Sequence, residues 1–482
     1  MKKGQTRAAT RIRLLRCDAA VSEVRTRIPF RYGKACLTVS PTLVVRVEIE
    51  SENGGTAVGF ASDCLPPGWF DKNPARTYRE NVDDQLTAYR KAREIYLLLG
   101  GQARTAHELW EEAYPRILEE TFASGLNALT ASFGSSFLER ALIDALCRVH
   151  EVSFFQALKH NLLGMETAPL LPKEPLKVVA CRHTIGLGDP LTIGEIPKEE
   201  RLDDGLPQAL EEDIEFYGLR NFKVKVAGNL EHDAERLIRM AALFSQRCPD
   251  GYRVSLDGNE QYKDLDDLRK LLATVREQPY GQEFFDNILF IEQPLSREVA
   301  LLPEAASGIS ELSKEKPVII DESDEQLDSF ERALELGYRG TSHKNCKGIF
   351  RSLRNRAKIL QLQEESGDAT AYFQTAEDLV NLPVLPLQQD LATICALGIT
   401  HAERNGHHFF RGLDHLPKAE AEAAWKNHGD LYEERQDALF LRVVDGAILC
   451  ESIVDAIGYG YSSEIAFDER TPLDKWDFDQ LG

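Results

Sequence analysis

No cysteine in this chain has a partner close by in sequence. The nine (Cys17, Cys36, Cys64, Cys147, Cys181, Cys248, Cys346, Cys395, Cys450) are scattered, none falls in a CxxC pair, and their number is odd. This argues against a disulfide framework and predicts reduced thiols in a cytoplasmic protein. No apolar run approaches the ~20 residues needed to cross a bilayer. The basic N-terminus (Lys2, Lys3, Arg7, Arg11, Arg13, Arg16) has no apolar stretch behind it that would make a signal peptide. Low-complexity linkers are missing as well. Positive charge is scarce: 57 Lys and Arg stand against 78 Asp and Glu, for a net charge of -21. A surface of that sign repels phosphate backbones and anionic membranes, which argues against nucleic acid and membrane as partners. A small anion can still be bound where lysines concentrate locally in a pocket.

What is present is enough chain for a large core: 482 residues, 43% hydrophobic. At roughly 150 residues per domain this predicts two or three domains, and two if one is a barrel that absorbs about 250 residues. Residues 12–17 alternate loosely, as an opening strand does. Thr42 to Glu50 and Thr56 to Phe60 read as strands on either side of the turn Ser51-Glu-Asn-Gly-Gly55. Helical periodicity covers 76–99, 104–121 and 136–163. After Pro175 short apolar runs alternate with amphipathic stretches in units of about 25–35 residues, the signature of parallel strands with helical crossovers. Strands are predicted at 177–183, 221–226, 252–257, 287–292, 317–321 and 338–344, with a seventh and eighth at 369–375 and 396–402. Eight units close a (β/α)8 barrel; an open doubly wound sheet is the alternative. The expected division is an α+β capping domain at 1–165, a barrel at 175–430, and a C-terminal segment at 431–482 that returns to the cap.

Catalytic groups of a parallel barrel come from the C-terminal ends of its strands. Read in order, those ends give Lys223-Val-Lys225, Asp257-Gly-Asn259, Glu292-Gln293, Asp321-Glu322 and Lys344. One acid on its own is more often a helix cap or a loop ion pair. Three acids closing consecutive apolar strands point to a hard cation held by Asp257, Glu292 and Asp321, with Mg²⁺ expected and Mn²⁺ as the alternative. Lys223 and Lys225 share one face of a strand, roughly 6–7 Å apart. At an effective dielectric near 20 their ammonium groups repel by about 2.5 kcal/mol, which predicts that one is depressed towards a general base. Lys344 closes a strand further round and approaches from the opposite wall.

Phe222-Lys-Val-Lys-Val226, Val254-Ser-Leu-Asp-Gly-Asn259, Phe290-Ile-Glu-Gln-Pro294, Ile320-Asp-Glu-Ser323 and Ser342-His-Lys344 together resemble the enolase superfamily, in its mandelate racemase/muconate-lactonizing enzyme branch. Arg27-Ile-Pro-Phe-Arg-Tyr-Gly33 and Ala141-Leu-Ile-Asp-Ala145 extend the likeness, which spans about residues 12–460. The resemblance implies a capped barrel and a Mg²⁺-dependent enzyme that removes the proton α to a carboxylate through an enediolate. It implies Asp257, Glu292 and Asp321 as metal ligands, Lys225 as the base on one face with Lys223 beside it, and Lys344 as base or acid on the other. Asn259 and Glu322 match positions that line or brace the site. Opposed lysines favour a racemase, epimerase or cycloisomerase. A dehydratase or other β-elimination lyase, and a barrel that binds a metabolite without catalysis, are the alternatives. A small carboxylate is the implied partner, in a homo-oligomer.

The chain departs from that pattern in three places. It is some 100 residues longer than typical relatives. Lys347-Gly-Ile-Phe350 replaces a small-Gly-Gly run after Lys344, which puts an expected solvated lysine at the rim. The eighth strand carries Thr400-His401-Ala402-Glu403 where relatives acting on dipeptides carry two aspartates, which argues against a dipeptide substrate. His401 reads equally as a substrate contact and as a structural histidine, and His407 and His408 read as loop residues. Glu403, Thr375, Glu377 and Arg31 are further candidate substrate contacts.

Overall fold

The computed structural model describes residues 9–481; Lys2, Lys3 and Arg7 lie outside them. The chain opens with an antiparallel meander of β1 (Ile12–Tyr32), β2 (Ala35–Ser51) and β3 (Thr56–Cys64). Three helices follow: α1 (Tyr78–Gly100), α2 (Ala106–Ala123) and α3 (Ala128–Val149). Each starts where its sequence can satisfy the free N–H groups of a first turn. Thr77 with Glu80 and Thr105 with Glu108 make reciprocal capping boxes, and Asn127 caps α3. The predicted long helix over 136–163 is therefore two, α3 and a short turn at Phe154–Lys159.

Helix α3 is buried along Ala128–Cys147 because it fills the space between the meander, α1 and the barrel. Its close crossing of α1 requires Gly134, where a Cβ would stand 2.5 Å from the Ala88 carbonyl oxygen. Three of its charged side chains are spent on junctions. Arg140 pairs with Asp63 and donates to the Ser62 carbonyl. Glu139 accepts from the Ile349 and Phe350 N–H groups at the start of a barrel helix. Asp144 accepts from Phe60, Tyr459 and Tyr461, which fastens the C-terminal segment.

The barrel consists of β4 (Val178–Ile185), β5 (Asn221–Lys225), β6 (Arg253–Asp257), β7 (Ile288–Glu292), β8 (Val318–Ile320), β9 (Gly340–His343), β10 (Phe373–Ala376) and β11 (His401–Arg404). Their order is β10-β9-β8-β7-β6-β5-β4-β11, every neighbour parallel. β10 and β11 come together without a hydrogen-bonded ladder. Their seam is sewn instead by the Asp378 N–H on Glu403 (2.9 Å) and the Asn405 N–H on Asp378 (3.1 Å).

The eighth strand starts later than the sequence suggests. Residues up to Leu397 complete the helix Leu385–Leu397, which is buried on every side and so has no amphipathic period to betray it. The C-terminal segment is divided between the two units. β12 (Tyr432–Arg435) and β13 (Ala438–Leu441) form a hairpin that joins the barrel rim, with the Leu413 N–H on the Leu439 carbonyl. β14 (Ala447–Leu449) pairs antiparallel with β4, and only β15 (Thr471–Pro472) pairs with β1 of the cap. The Ala438 to Val444 stretch therefore sits against the barrel, not the cap.

The Arg140–Asp63 pair is buried, with side-chain exposures of 0% and 3%. Arg140→Met leaves a buried carboxylate without its partner, so urea unfolding is expected to show a loss of about 3–5 kcal/mol.

Candidate active site

The strand ends bring Lys223, Lys225, Asp257, Glu292, Asp321 and Lys344 into one buried cluster. The register explains how: Lys225 stands beside Asp257 and Asp257 beside Glu292 on adjacent strands. β5 and β9 lie four strands apart, so Lys225 and Lys344 face each other across three intervening strand ends that carry the acids. Lys225 Nζ is 2.5 Å from Asp257 Oδ2, and Lys344 Nζ is 2.7 Å from Asp321 Oδ2.

Lys223 shares the inward face of β5 with Lys225, as the spacing predicts, and both amines reach Asp257 Oδ2. The Lys223 ammonium touches Asp257 (3.0 Å), Glu292 (2.8 Å), Glu377 (2.7 Å) and Glu403 (2.9 Å). Burial alone would depress such an amine, but four carboxylates outweigh it, and Lys223 is held protonated well above the usual lysine range. The expected depression by Lys225 is thus overturned for Lys223. Burial also opposes the charge of Lys344, and Asp321 again wins and raises it. The carboxylates divide. Asp321 is held low by Lys344 and Lys347, and Asp257 by Lys223 and Lys225. Glu292 is pushed well up by burial and by Asp257 and Glu377.

Lys347, expected in solvent, is 3% exposed and is a fourth lysine of the site. It donates to Ser342 (2.7 Å) and to Asp321 (3.2 Å). Arg182, inside β4, reaches Ser255 and Glu377. An arginine interrupting an apolar strand was the signal that sequence reading passed over. Asp257, Glu292, Asp321, Glu377 and Glu403 thereby face Lys223, Lys225, Lys344, Lys347 and Arg182.

The remaining candidates are placed as follows. Asn259 donates to Glu322 (2.7 Å), which also receives Lys72 (3.0 Å) from the cap. Thr375 donates to Glu377 and fixes it rather than opening to a ligand. Glu403 is occupied by Lys223, Thr184 and the Asp378 N–H. His401 opens β11 at the far end of the strand, against the Phe290 ring, and burial and Arg182 lower it to about 4. It is not brought to the mouth. Arg31 is exposed and packs over Gly188 in the loop after β4.

Two backbone features hold the acids in place. Gly258 passes so close to Pro294 that a Cβ would stand 2.6 Å from the Pro294 Cα. Gln293 accepts from the N–H groups of Asp321 (2.9 Å) and Ser323 (3.1 Å), so the ends of β7 and β8 are tied. Above them the cap segment is fastened to the barrel: Arg297 donates to the carbonyls of Trp69 and Phe70, and Trp69 roofs Lys344, whose ammonium lies 4.3 Å from the ring centroid.

The donor set of Asp257, Glu292 and Asp321 is all oxygen, as Mg²⁺ requires, and Glu292 is fully buried with the Lys223 ammonium 2.8 Å from its Oε2. These residues therefore fit the ion chemically. Their ligand atoms do not all lie within 4.8 Å of one another, and each acid is engaged by lysine. Among the described residues, the three-residue group whose ligand atoms all lie within 4.8 Å is a different one, His183, Asp213 and His408.

No protein-family model and no curated protein matches the sequence. Solved structures do match. A dipeptide epimerase from Cytophaga hutchinsonii, complexed with Mg and a dipeptide, aligns with TM-score 0.58 at 16% identity over 96% of this chain and 99% of its own. L-talarate/galactarate dehydratase from Salmonella typhimurium aligns with TM-score 0.55 at 16% identity over 98% and 96%. Muconate lactonizing enzyme from Pseudomonas putida aligns with TM-score 0.56 at 14% identity over 95% and 98%. The chain shares the capped-barrel fold of these structures, the fold that the sequence led one to expect. No helix among the described residues is long and apolar enough to cross a membrane.

Two outcomes follow from the charge arrangement. Lys223→Met strands four buried carboxylates and is expected to cost about 3–5 kcal/mol, more than Lys225→Met, because Asp257 keeps Lys223 in the second variant; melting temperatures check the order. Asp378, at the β10–β11 seam, is raised to about 7 by burial. Its stabilising effect is intact below the free aspartate value and is lost as pH rises through 7. Between pH 5 and 8 the wild type is therefore expected to lose about 2–3 kcal/mol more than Asp378→Asn in urea unfolding.

Proposed function

We propose that this protein is an enzyme that abstracts the proton α to the carboxylate of a small substrate, with Mg²⁺ or Mn²⁺ held by Asp257, Glu292 and Asp321. The observation that carries this reading is the bracket of Lys225 and Lys344, one on each side of three acids at one barrel mouth. The ion, when bound, supplies Lewis-acid stabilisation for the negative charge that develops on the substrate carboxylate.

Everything else falls to the chain's own residues. Lys225 Nζ removes the proton from one face, and Lys344 Nζ acts on the opposite face by returning a proton or by countering the developing charge. Lys223 takes no proton, because four carboxylates keep its ammonium charged; it holds Asp257 and Glu292 in place. Trp69 excludes water from the Lys344 side. Two opposed lysines favour a racemase, epimerase or cycloisomerase over a dehydratase. Since Glu403 is already occupied, the eighth strand offers no free carboxylate pair for a dipeptide ammonium group. A homo-oligomer bearing this site in each subunit is part of the proposal.

The test is solvent exchange. Panels of 2-hydroxy and 2-acylamino carboxylates, incubated with Mg²⁺ in D₂O, are followed by proton NMR. A substrate should gain deuterium at Cα with scrambling of configuration, and Lys225→Met and Lys344→Met should slow this by about 10²–10⁴-fold. Formation of a 2-keto acid would assign elimination instead. Equal exchange in wild type and both variants would overturn the catalytic reading, and ligand binding without any exchange would leave a metabolite-binding barrel.

A further inference from the structure

A second polar cluster lies behind the barrel wall. Along β4, Arg182 and Thr184 point into the barrel, where they meet Glu377 and Glu403. His183 between them points outward, as strand alternation requires. There it meets Asp213 from the crossover helix Leu210–Tyr217 and His407 and His408 from the turn Gly406–Phe409. All four side chains are buried, with exposures of 6% or less.

The geometry is that of ligands around a gap. His183 Nε2 is 3.7 Å from Asp213 Oδ2, and His408 Nδ1 is 3.1 Å from Asp213 Oδ1, so two imidazoles flank one carboxylate. Tetrahedral ligands at zinc bond lengths of ~2.0–2.1 Å stand roughly 3.3–3.5 Å apart, close to the spacing found here. His183 Nδ1 is 3.0 Å from His407 Nε2. When His183 donates that bond, its Nε2 carries a lone pair aimed at the carboxylate, and the bond to His407 is the outer contact that commonly orients a metal-bound imidazole. Asp213 Oδ2, His408 Nε2 and His407 Nδ1 are all buried with no hydrogen-bond partner. A cation between Asp213 and the imidazoles of His183 and His408 would answer the Asp213 Oδ2 lone pair, which no donor meets.

We propose that His183, Asp213 and His408 form a site for a divalent transition metal, Zn²⁺ in the first instance, separate from the carboxylate site inside the barrel. Two nitrogens and one oxygen suit a borderline cation and suit Mg²⁺ poorly. The ion cross-links β4, the first crossover helix and the turn after β11. It also reaches the cap, because Arg27 of β1 donates to the His408 carbonyl at 2.9 Å.

The experiment uses the full chain, stripped with EDTA, returned to excess Mg²⁺ to satisfy the oxygen site, and titrated with Zn²⁺ by calorimetry. One Zn²⁺ per chain is expected, with two imidazoles in its zinc-edge X-ray absorption fine structure. His183→Gln and His408→Gln should abolish this binding, His407→Ala should weaken it about 10–100-fold, and His232→Gln, at an exposed histidine, should leave it unchanged. Zn²⁺ uptake that is the same in His183→Gln, or a wild-type spectrum with fewer than two imidazoles, would overturn the proposal. The wild-type spectrum decides alone if the variants fail to fold.

Discussion

The site depends on the ammonium of Lys223. Four carboxylates from β6, β7, the end of β10 and β11 converge on it. No such gathering of buried acids survives without a cation at its centre, because isolated charges in a protein interior are too costly to desolvate. Lys223 is thus the counter-charge that lets the strand ends be acidic at all. It also helps close the barrel: Glu377 and Glu403 stand on either side of the seam that lacks a backbone ladder, and both lean on the same nitrogen.

The parts legible in the sequence were those where charge contradicts its surroundings. Asp257, Glu292, Asp321, Lys225 and Lys344 each close an apolar strand, and no packing argument explains them, so their meeting could be expected from order and spacing alone. The βα alternation was readable for the same reason, since amphipathic helices and apolar strands differ in period. Legibility failed where period vanishes or where partners are distant. The all-buried helix Leu385–Leu397 passes for a strand at its end, which displaced the eighth strand and put His401 at the wrong end of it. Lys347 looked like a rim residue because Ser342 and Asp321 become its neighbours only after β8 and β9 pair. That Lys223 is the lysine held charged was not legible, because only the nearest charge in sequence, Lys225, is visible there and the four carboxylates come from other strands.

Structures of this fold include enzymes named for epimerisation, dehydration and lactonisation. One scaffold therefore carries several outcomes, and what decides among them lies in details rather than in architecture. The acids that would receive an ion are each engaged by lysine, with Lys347 adding to the hold on Asp321. On the reading proposed above, ion binding is an exchange of partners, and Lys225 and Lys344, which now hold Asp257 and Asp321, are the two lysines that the proposal sets against the substrate.

The roof over the mouth belongs to two parts of the chain at once. Trp69 and Phe70 come from the cap, yet Arg297 of the barrel holds their carbonyls, and Lys72 is clasped by Glu322 and Glu260. A specificity loop grafted here from another scaffold would arrive without its clasp. Redesign of what this protein recognises would have to move Arg297, Glu260 and Glu322 together with the loop, as one inherited unit.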